Sequence, residues 1–515
     1  MSSLGDIMIG MTDVIDSFLD YIGFKSMTKS GKSGQSKSSL SFHNTLSGEK
    51  EPFTTLQPGI VKMYNCGPTA YDVAHIGNLC SYLFADTVRR TLEYNGYEVK
   101  QVINITDFGH LSSDGDLGDD KMSKALKREG KKFTLENMRI LAEKYTEIFI
   151  RDLSTLNIAT SKIQFPRASD FIPGQIAIIR TLEEKGYTYK GKEGVYFDTS
   201  RFPAYGKLGN INLEGLKEGA RVASSESRKN PTDFLLWKFD PKLGWDSPWG
   251  KGFPGWHIEC SAMIRETLGW QIDIHTGGID LMPTHHNNEI AQSESASGKK
   301  PFSRFWLHHA FLNIKDEKIS KSVGNIVNLA TLIEKGYHPL ALRCLWLMSH
   351  YRSPSNFTWD ALEAAQSAYL RLKRLADALP HGGSIPLDYK KRFEERVDDD
   401  LDTPGALAVL WEMVKDKNLA EKNLRAGLID FDTVFGLGLG SEDAQARELY
   451  EKEFGVAVSS SEIPMHIQTL LAEREMARAE KRWNDADAAR EKIEYAGYVI
   501  EDTVDGPRVV KKGNV

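Results

Sequence analysis

Ile60-Val61-Lys62-Met63-Tyr64-Asn65-Cys66-Gly67-Pro68-Thr69 opens the stretch whose reading decides the fold. Val61 to Cys66 alternates as a strand does and stops at Gly67-Pro68-Thr69, a turn sequence. Leu79, Leu83, Val88 and Leu92 then fall on one side of a helix closed by Asn95-Gly96. Val99 to Ile105 is a second strand-like run. Strand, helix and strand at this spacing form a βαβ unit, which predicts an α/β protein with a parallel sheet of Rossmann type.

Outward from that unit the chain divides unevenly. Its 515 residues are too many for one ordinary core, so several domains are expected. Residues 1–37 read as a flexible extension, with a Lys/Ser/Gly stretch from Thr28 to Ser39. Residues 38–160 carry the first half of the sheet, and 161–230 read as an insertion of short strands among Gly and Pro. The second half is expected over 231–302 and a connecting region over 303–358. Helix-period text follows, divided at 359–440 and 441–515, with a hairpin at the end around Asp505-Gly506.

Composition narrows the class. Hydrophobic content of 41% with 26% charged residues is ordinary for a soluble protein. No apolar run is long enough to cross a bilayer, and no membrane partner is expected. Asp13, Asp16 and Asp20 interrupt the only apolar stretch near the N-terminus, which therefore lacks the pattern of a secretion signal. Four scattered cysteines do not form a disulfide framework, so a reducing, cytoplasmic setting is expected. The net charge of -6 decides nothing about nucleic acid, because a local basic face is invisible to it.

Two motifs carry candidate phosphate chemistry. His75-Ile76-Gly77-Asn78 stands at the mouth of the first helix, where free N–H groups and the dipole favour phosphate. Gly77 leaves room for a nucleotide against the backbone. Alone, the tetrapeptide reads better as a polar helix cap. Lys318-Ile319-Ser320-Lys321-Ser322, followed by Val323-Gly324-Asn325, offers two lysines to a leaving pyrophosphate. Lys121-Met122-Ser123-Lys124 is spelled in much the same way. It comes too early, before the second half of the sheet, and lacks the trailing Ser and Gly-Asn. It reads as an exposed helical or loop segment.

The His75 motif followed far downstream by the Lys318 motif resembles the class I aminoacyl-tRNA synthetases. Asn65 to Thr69, Asn104-Ile105-Thr106-Asp107, Gly255-Trp256-His257-Ile258-Glu259-Cys260-Ser261-Ala262-Met263 and His285-His286-Asn287-Asn288-Glu289-Ile290-Ala291-Gln292 narrow the resemblance to the cysteinyl-tRNA synthetase family. It runs from about Ser41 to the C-terminus. Read from the residues, Cys66, Cys260, His285 and Glu289 make an acceptable zinc set, with His285 and Glu289 four apart on one helical face. Isolated cysteines are nonetheless more often buried apolar groups than ligands. The resemblance assigns these four positions to one zinc ion per subunit, which would select the cysteine thiolate over a serine hydroxyl.

The same resemblance implies that Thr106, Trp256, His275 and Asp280 line an amino-acid pocket, with Asp280 facing the substrate ammonium. His75, Gly77, Asn78, Lys318 and Lys321 would bind ATP with Mg²⁺, and His75, Asn78, Lys318 and Lys321 would aid attack of the cysteine carboxylate on the α-phosphate. The helical C-terminal part would bind tRNA(Cys), with Arg474, Arg478, Lys481, Arg482, Arg490 and Trp483 as candidates against a solvated charged helix. A monomer is expected. Asn78, Ile319, Thr284 and Asn287 depart from the family's usual residues without removing a ligand or lysine. An amino-sugar ligase of the mycothiol type and a catalytically silent paralogue remain as alternatives. The first would lack the long C-terminal region, and the second would bind ATP without pyrophosphate exchange.

Overall fold

In the computed structural model the described residues are 40–108, 121–211, 228–314, 317–318, 327–457, 462–503 and 506–511. The opening unit forms as its periodicity predicts. Strand β1 (Ile60–Asn65) leads through helix α1 (Ile76–Tyr94) to strand β2 (Glu98–Ile103), in parallel register from Ile60 opposite Glu98 to Asn65 opposite Ile103. Leu79, Leu83, Val88 and Leu92 are all buried, and Gly96 takes the positive φ that ends the helix at Asn95. Helices α2 (Lys121–Arg128) and α3 (Leu135–Thr155) follow, then strand β3 (Ile163–Gln164).

The second half adds helix α4 (Trp256–Thr267), strand β4 (Ile272–Gly278), helix α5 (Asn287–Ser297), strand β5 (Ser303–His309) and helix α6 (Pro339–Leu347). The five strands lie in the order β5-β4-β1-β2-β3, every neighbouring pair parallel. The chain moves outward from β1 in one direction and then returns to build β4 and β5 on its other side. The order reverses between β1 and β4, and ligands bind at such switch points, beyond the carboxyl ends of the strands. Cys66 leaves β1 there, its N–H donating to the Thr276 carbonyl of β4 at 3.3 Å.

Two sequence boundaries move. Ile163–Gln164 belongs to the central sheet, pairing with Gln101 and Val102. The inserted sheet is antiparallel, made of Thr188–Lys190, Gly194–Phe197, Phe234–Phe239 and Gly252–Pro254, so it runs past residue 230. Phe234 to Phe239 is nearly all apolar, and an apolar strand does not announce which sheet it joins. The early lysine motif is helical, as α2, but only half exposed. Met122, Ala125 and Leu126 are buried, while Lys124, Lys127 and Arg128 point outward.

Beyond β5 the fold is mainly helical, through α6 and Trp359–Ala378 to Ala444–Phe454. α1 is tied to this region through buried charge. Asp86 pairs with Arg89, with Arg90 at 2.6 Å, and with Arg343 of α6, which also donates to the Phe435 carbonyl at 2.6 Å. One apolar core extends from Leu40 to Tyr450. A separate small core of Ile467, Ile493, Ile500 and Val509 holds helices Met465–Ala479 and Trp483–Tyr495 to strands Tyr498–Thr503 and Gly506–Lys511. Thr503 pairs with Gly506, so these two strands form the hairpin expected around Asp505-Gly506.

Candidate active site

A cleft of about 780 Å³ opens at the switch point. Its lining includes Cys66 after β1, His75, Gly77 and Asn78 at the start of α1, Trp256 and Cys260 of α4, and Asp280 and His285 after β4. Two glycines permit the close approach. A Cβ on Gly67 would meet the Asn104 carbonyl oxygen at 1.6 Å, and the Gly67 N–H instead donates to Asn104 Oδ1 at 2.7 Å. A Cβ on Gly278 would meet Asp280 Oδ1 at 2.5 Å.

His75 is the N-cap of α1. Its Nδ1 accepts from the Asn78 N–H at 3.1 Å. That bond assigns the imidazole proton to Nε2 in the neutral ring, which makes Nε2 a donor, the role a phosphate oxygen requires. The cap and the phosphate contact are therefore compatible uses of one side chain. The Ile76 N–H donates to the Val327 carbonyl at 2.8 Å, and His75 bridges to Asn328. The chain emerging from the Lys318 motif is thus fastened to the first motif. Lys318 itself ends the short strand Glu317–Lys318, paired with Asn313. Lys321 lies outside the described residues.

The Cys66, Cys260, His285 and Glu289 donor atoms all lie within 4.8 Å of one another. They come from the residue after β1, from α4, from a π-helical turn at Met282–His286 and from the first turn of α5. His285 Nε2 is 2.8 Å from Glu289 Oε1, while His275 Nε2 holds the other oxygen at 3.0 Å. Their electrostatics are those of ligands. The hydrogen bond from Cys66, acting against burial, brings the Cys260 thiol down to about 6. Burial first, and then Cys260, push the Cys66 thiol well up. Burial would lower His285 and raise Glu289. Glu289 instead carries His285 to about 10, and His275 with His285 holds Glu289 at about 2. Two thiols, an imidazole and a carboxylate held this close together form a set that a bound cation would suit. Two sulfurs, a nitrogen and an oxygen suit a borderline-soft divalent ion. A second group of four keeps Cys66 and Glu289 but substitutes His275 and His286.

Of the four residues expected in the amino-acid pocket, Trp256 and Asp280 border the cleft. Thr106 and His275 are buried beneath it, at 1% and 0% exposure. Thr106 Oγ1 donates to Glu259 Oε2 at 3.0 Å, and His275 stacks on Trp306 with ring centroids 4.4 Å apart. Their alternating places on strand-like text gave no hint of depth. Sequence reasoning also passed over His257, whose Nδ1 is 2.9 Å from His285 Nδ1, and His286, whose Nδ1 is 2.8 Å from His308 Nε2. Both sit inside the quoted motifs; His286 directly follows His285 in sequence, whereas His257 reaches it only through the fold. In the C-terminal region, Arg474 is buried and bonded to Glu475 at 2.5 Å, whereas Trp483 is 59% exposed.

Comparisons with known proteins agree with this geometry. A family model described as "tRNA synthetases class I (C) catalytic domain" matches residues 52–367. A "DALR domain" matches 392–436, and a "Cysteinyl-tRNA ligase anticodon binding domain" matches 460–508. "Cysteine--tRNA ligase 1" of Burkholderia lata is 47% identical over 476 residues, covering 91% of this chain and 96% of that protein. "Cysteine--tRNA ligase" of Treponema denticola is 41% identical over 495 residues, covering 90% and 98%. Among solved structures, methionyl-tRNA synthetase of Mycobacterium tuberculosis bound by methionyl-adenylate superposes with a TM-score of 0.52 at 16% identity. That match covers 76% of this chain and 94% of that one, a likeness of fold.

Proposed function

This chain belongs to the cysteinyl-tRNA synthetase family of class I ligases, and we propose how its own residues divide the work of joining cysteine to tRNA(Cys) at the expense of ATP. The observation that carries the reading is that Cys66, Cys260 and His285 open onto the same cleft as His75 and Asp280. One ligand can therefore touch both a side-chain reader and a phosphate reader.

Cys66, Cys260, His285 and Glu289 would hold one zinc ion. This set is preferred to the one using His275 and His286 because Cys260 and His285 border the cleft. When bound, zinc supplies a Lewis acid for which a thiolate is a far better ligand than a hydroxyl, which separates cysteine from serine where shape cannot. His275 and His257 act as positioning residues, holding Glu289 and His285 from behind. Asp280 receives the substrate ammonium, and Trp256 walls the pocket, its ring 4.3 Å from that of His285. The α-carboxylate is then directed toward the start of α1. There His75 Nε2–H, Asn78 and the helix N–H groups stabilise charge growing on the triphosphate, with Lys318 and Lys321 on the departing pyrophosphate. Thr106 supports this floor through Glu259, whose carboxyl is raised by burial.

Charging of purified tRNA with radiolabelled cysteine, run beside cysteine-dependent ATP–pyrophosphate exchange, tests the reading. Cysteine on tRNA is the expected result. Exchange without charging would move the acceptor elsewhere, to an amino sugar first. Failure of both in folded, zinc-loaded protein would make the chain a silent paralogue.

A further inference from the structure

Ser81 and His309 form a hydrogen-bonded pair in the wall of the cleft, and the mechanism above leaves both unused. Ser81 stands on α1, three residues after Asn78 and so on the same side of that helix. His309 is the last residue of β5, opposite Gly278 at the end of β4. Phe84 and Trp346 flank its ring, with centroids 5.6 and 5.9 Å away. Their apolar walls leave the imidazole few polar partners.

Those partners fix which atoms donate. His309 Nδ1 is 2.8 Å from the Ala310 carbonyl oxygen, which can only accept, so Nδ1 carries the proton. Burial lowers the imidazole further than the Ala310 bond and Asp280 raise it, so the ring is neutral and Nε2 is an acceptor. Nε2 lies 2.7 Å from Ser81 Oγ, and the hydroxyl supplies the proton between them. Ser81 therefore donates away from the ligand and keeps only lone pairs for the cleft. A serine that ordinarily offers both a donor and an acceptor is here an acceptor alone.

Such an oxygen repels phosphate and takes a hydroxyl or an ammonium. In the reading above the cysteine ammonium goes to Asp280. Ser81 is about 4.5 Å farther along the helix axis than Asn78, where the triphosphate is received. The sugar is the part of the nucleotide that follows the α-phosphate, and the adenine amino group lies beyond it. We infer that Ser81, held as an acceptor by His309, binds a ribose hydroxyl of ATP, with His309 as its positioning residue. The inference rests on the cysteine-activation reading above.

The test is cysteine-dependent pyrophosphate exchange by full-length wild type, Ser81→Ala and Ser81→Thr with ATP, 2′-deoxy-ATP and 3′-deoxy-ATP. Wild type should use one of the two deoxynucleotides roughly fivefold less efficiently than ATP, as loss of one neutral hydrogen bond requires. Ser81→Ala should lower kcat/KM for ATP by that same factor and leave that deoxynucleotide unaffected, so the preference collapses. Ser81→Thr keeps the oxygen and should keep the preference, while KM for cysteine stays unchanged in both. His309→Leu, with unchanged circular dichroism, should also shrink the preference. Equal use of all three nucleotides by wild type, or an undiminished preference in Ser81→Ala, would overturn the inference. So would a rise in KM for cysteine alone, which would give Ser81 to the ammonium. Slowed charging with exchange unchanged would overturn it too, by moving the contact to the terminal ribose of tRNA. If wild type shows no exchange with ATP, the functional reading falls as well; if it exchanges normally and Ser81→Ala matches it, only this contact is lost.

Discussion

The ligand cluster and the C-terminal hairpin unit of this chain are stabilised in opposite ways. Glu289, His285 and Cys260 are buried at the floor of the cleft, and each is fixed by a neighbour, with the buried His275 and His257 and the half-buried Cys66 among them. They stand on a parallel sheet whose core runs on into the helices beyond β5. The described residues from 462 onward rest on the small core of Ile467, Ile493, Ile500 and Val509, and leave Met465, Met476, Trp483 and Tyr495 exposed. A small core gives little stability, so local opening there should cost far less than opening the sheet. Activation of cysteine and delivery to tRNA should accordingly be separable by mutation.

The largest effect belongs to the cluster. Cys260→Ser should reduce cysteine-dependent exchange more than about a hundredfold, beyond what loss of an outer partner costs, in protein whose circular dichroism is unchanged. Cys80→Ser sharpens the contrast. Burial alone raises the Cys80 thiol, and the substitution should cost roughly 1–3 kcal/mol of stability while exchange per folded molecule persists. Loss of exchange in the Cys80 variant and not in the Cys260 variant would reverse the assignment of the two cysteines.

Next comes the buried charge that joins α1 to α6. Asp86→Ala strands three arginines and should destabilise the catalytic body by about 3–5 kcal/mol in a denaturant titration. Burial would raise the Asp86 carboxyl, but Arg343, Arg90 and Arg89 hold it well below the usual carboxylate range. A depressed folded value means the contribution is fully present above about pH 4 and fades as pH falls through the folded value. Wild-type stability should therefore drop in acid more steeply than that of Asp86→Asn.

In the C-terminal unit, Ile493→Ala should cost about 2–5 kcal/mol locally, enough to open a small core. Exchange should survive while charging falls and residues 462–511 become protease-sensitive. Equal loss of both activities would show that the two regions are not separable. The smallest effect expected is from exposed Trp483→Ala, a rise in tRNA KM of about tenfold if the ring stacks on an unpaired base. No change in that KM would leave Trp483 a solvent-facing residue.

The parts legible in sequence are those governed by local period. The strand before Cys66, the apolar face of α1, and the His285–Glu289 spacing each follow from one short window. The His75 cap was legible as a helix start, though not the ring nitrogen it commits. Depth and long-range assembly were not legible. Thr106 and His275 read as pocket residues, but the depth at which they are buried was not legible, because burial is set by strands that arrive much later in the chain. The meeting of Cys66 with Cys260 depends on β4 returning beside β1, and the family resemblance supplied that pairing where spacing could not. The Lys121–Lys124 text reads as a misplaced motif until α2 is seen on the edge of the cleft.

The most direct test of the account compares cysteine and serine in pyrophosphate exchange before and after chelation, with bound metal counted in the same samples. One zinc per chain, exchange with cysteine alone, loss of that exchange on chelation and its return with zinc are the predicted results. Cysteine-selective exchange persisting in protein shown to be metal-free and folded would contradict it, and would transfer the selectivity to the protein wall around Trp256 and Asp280.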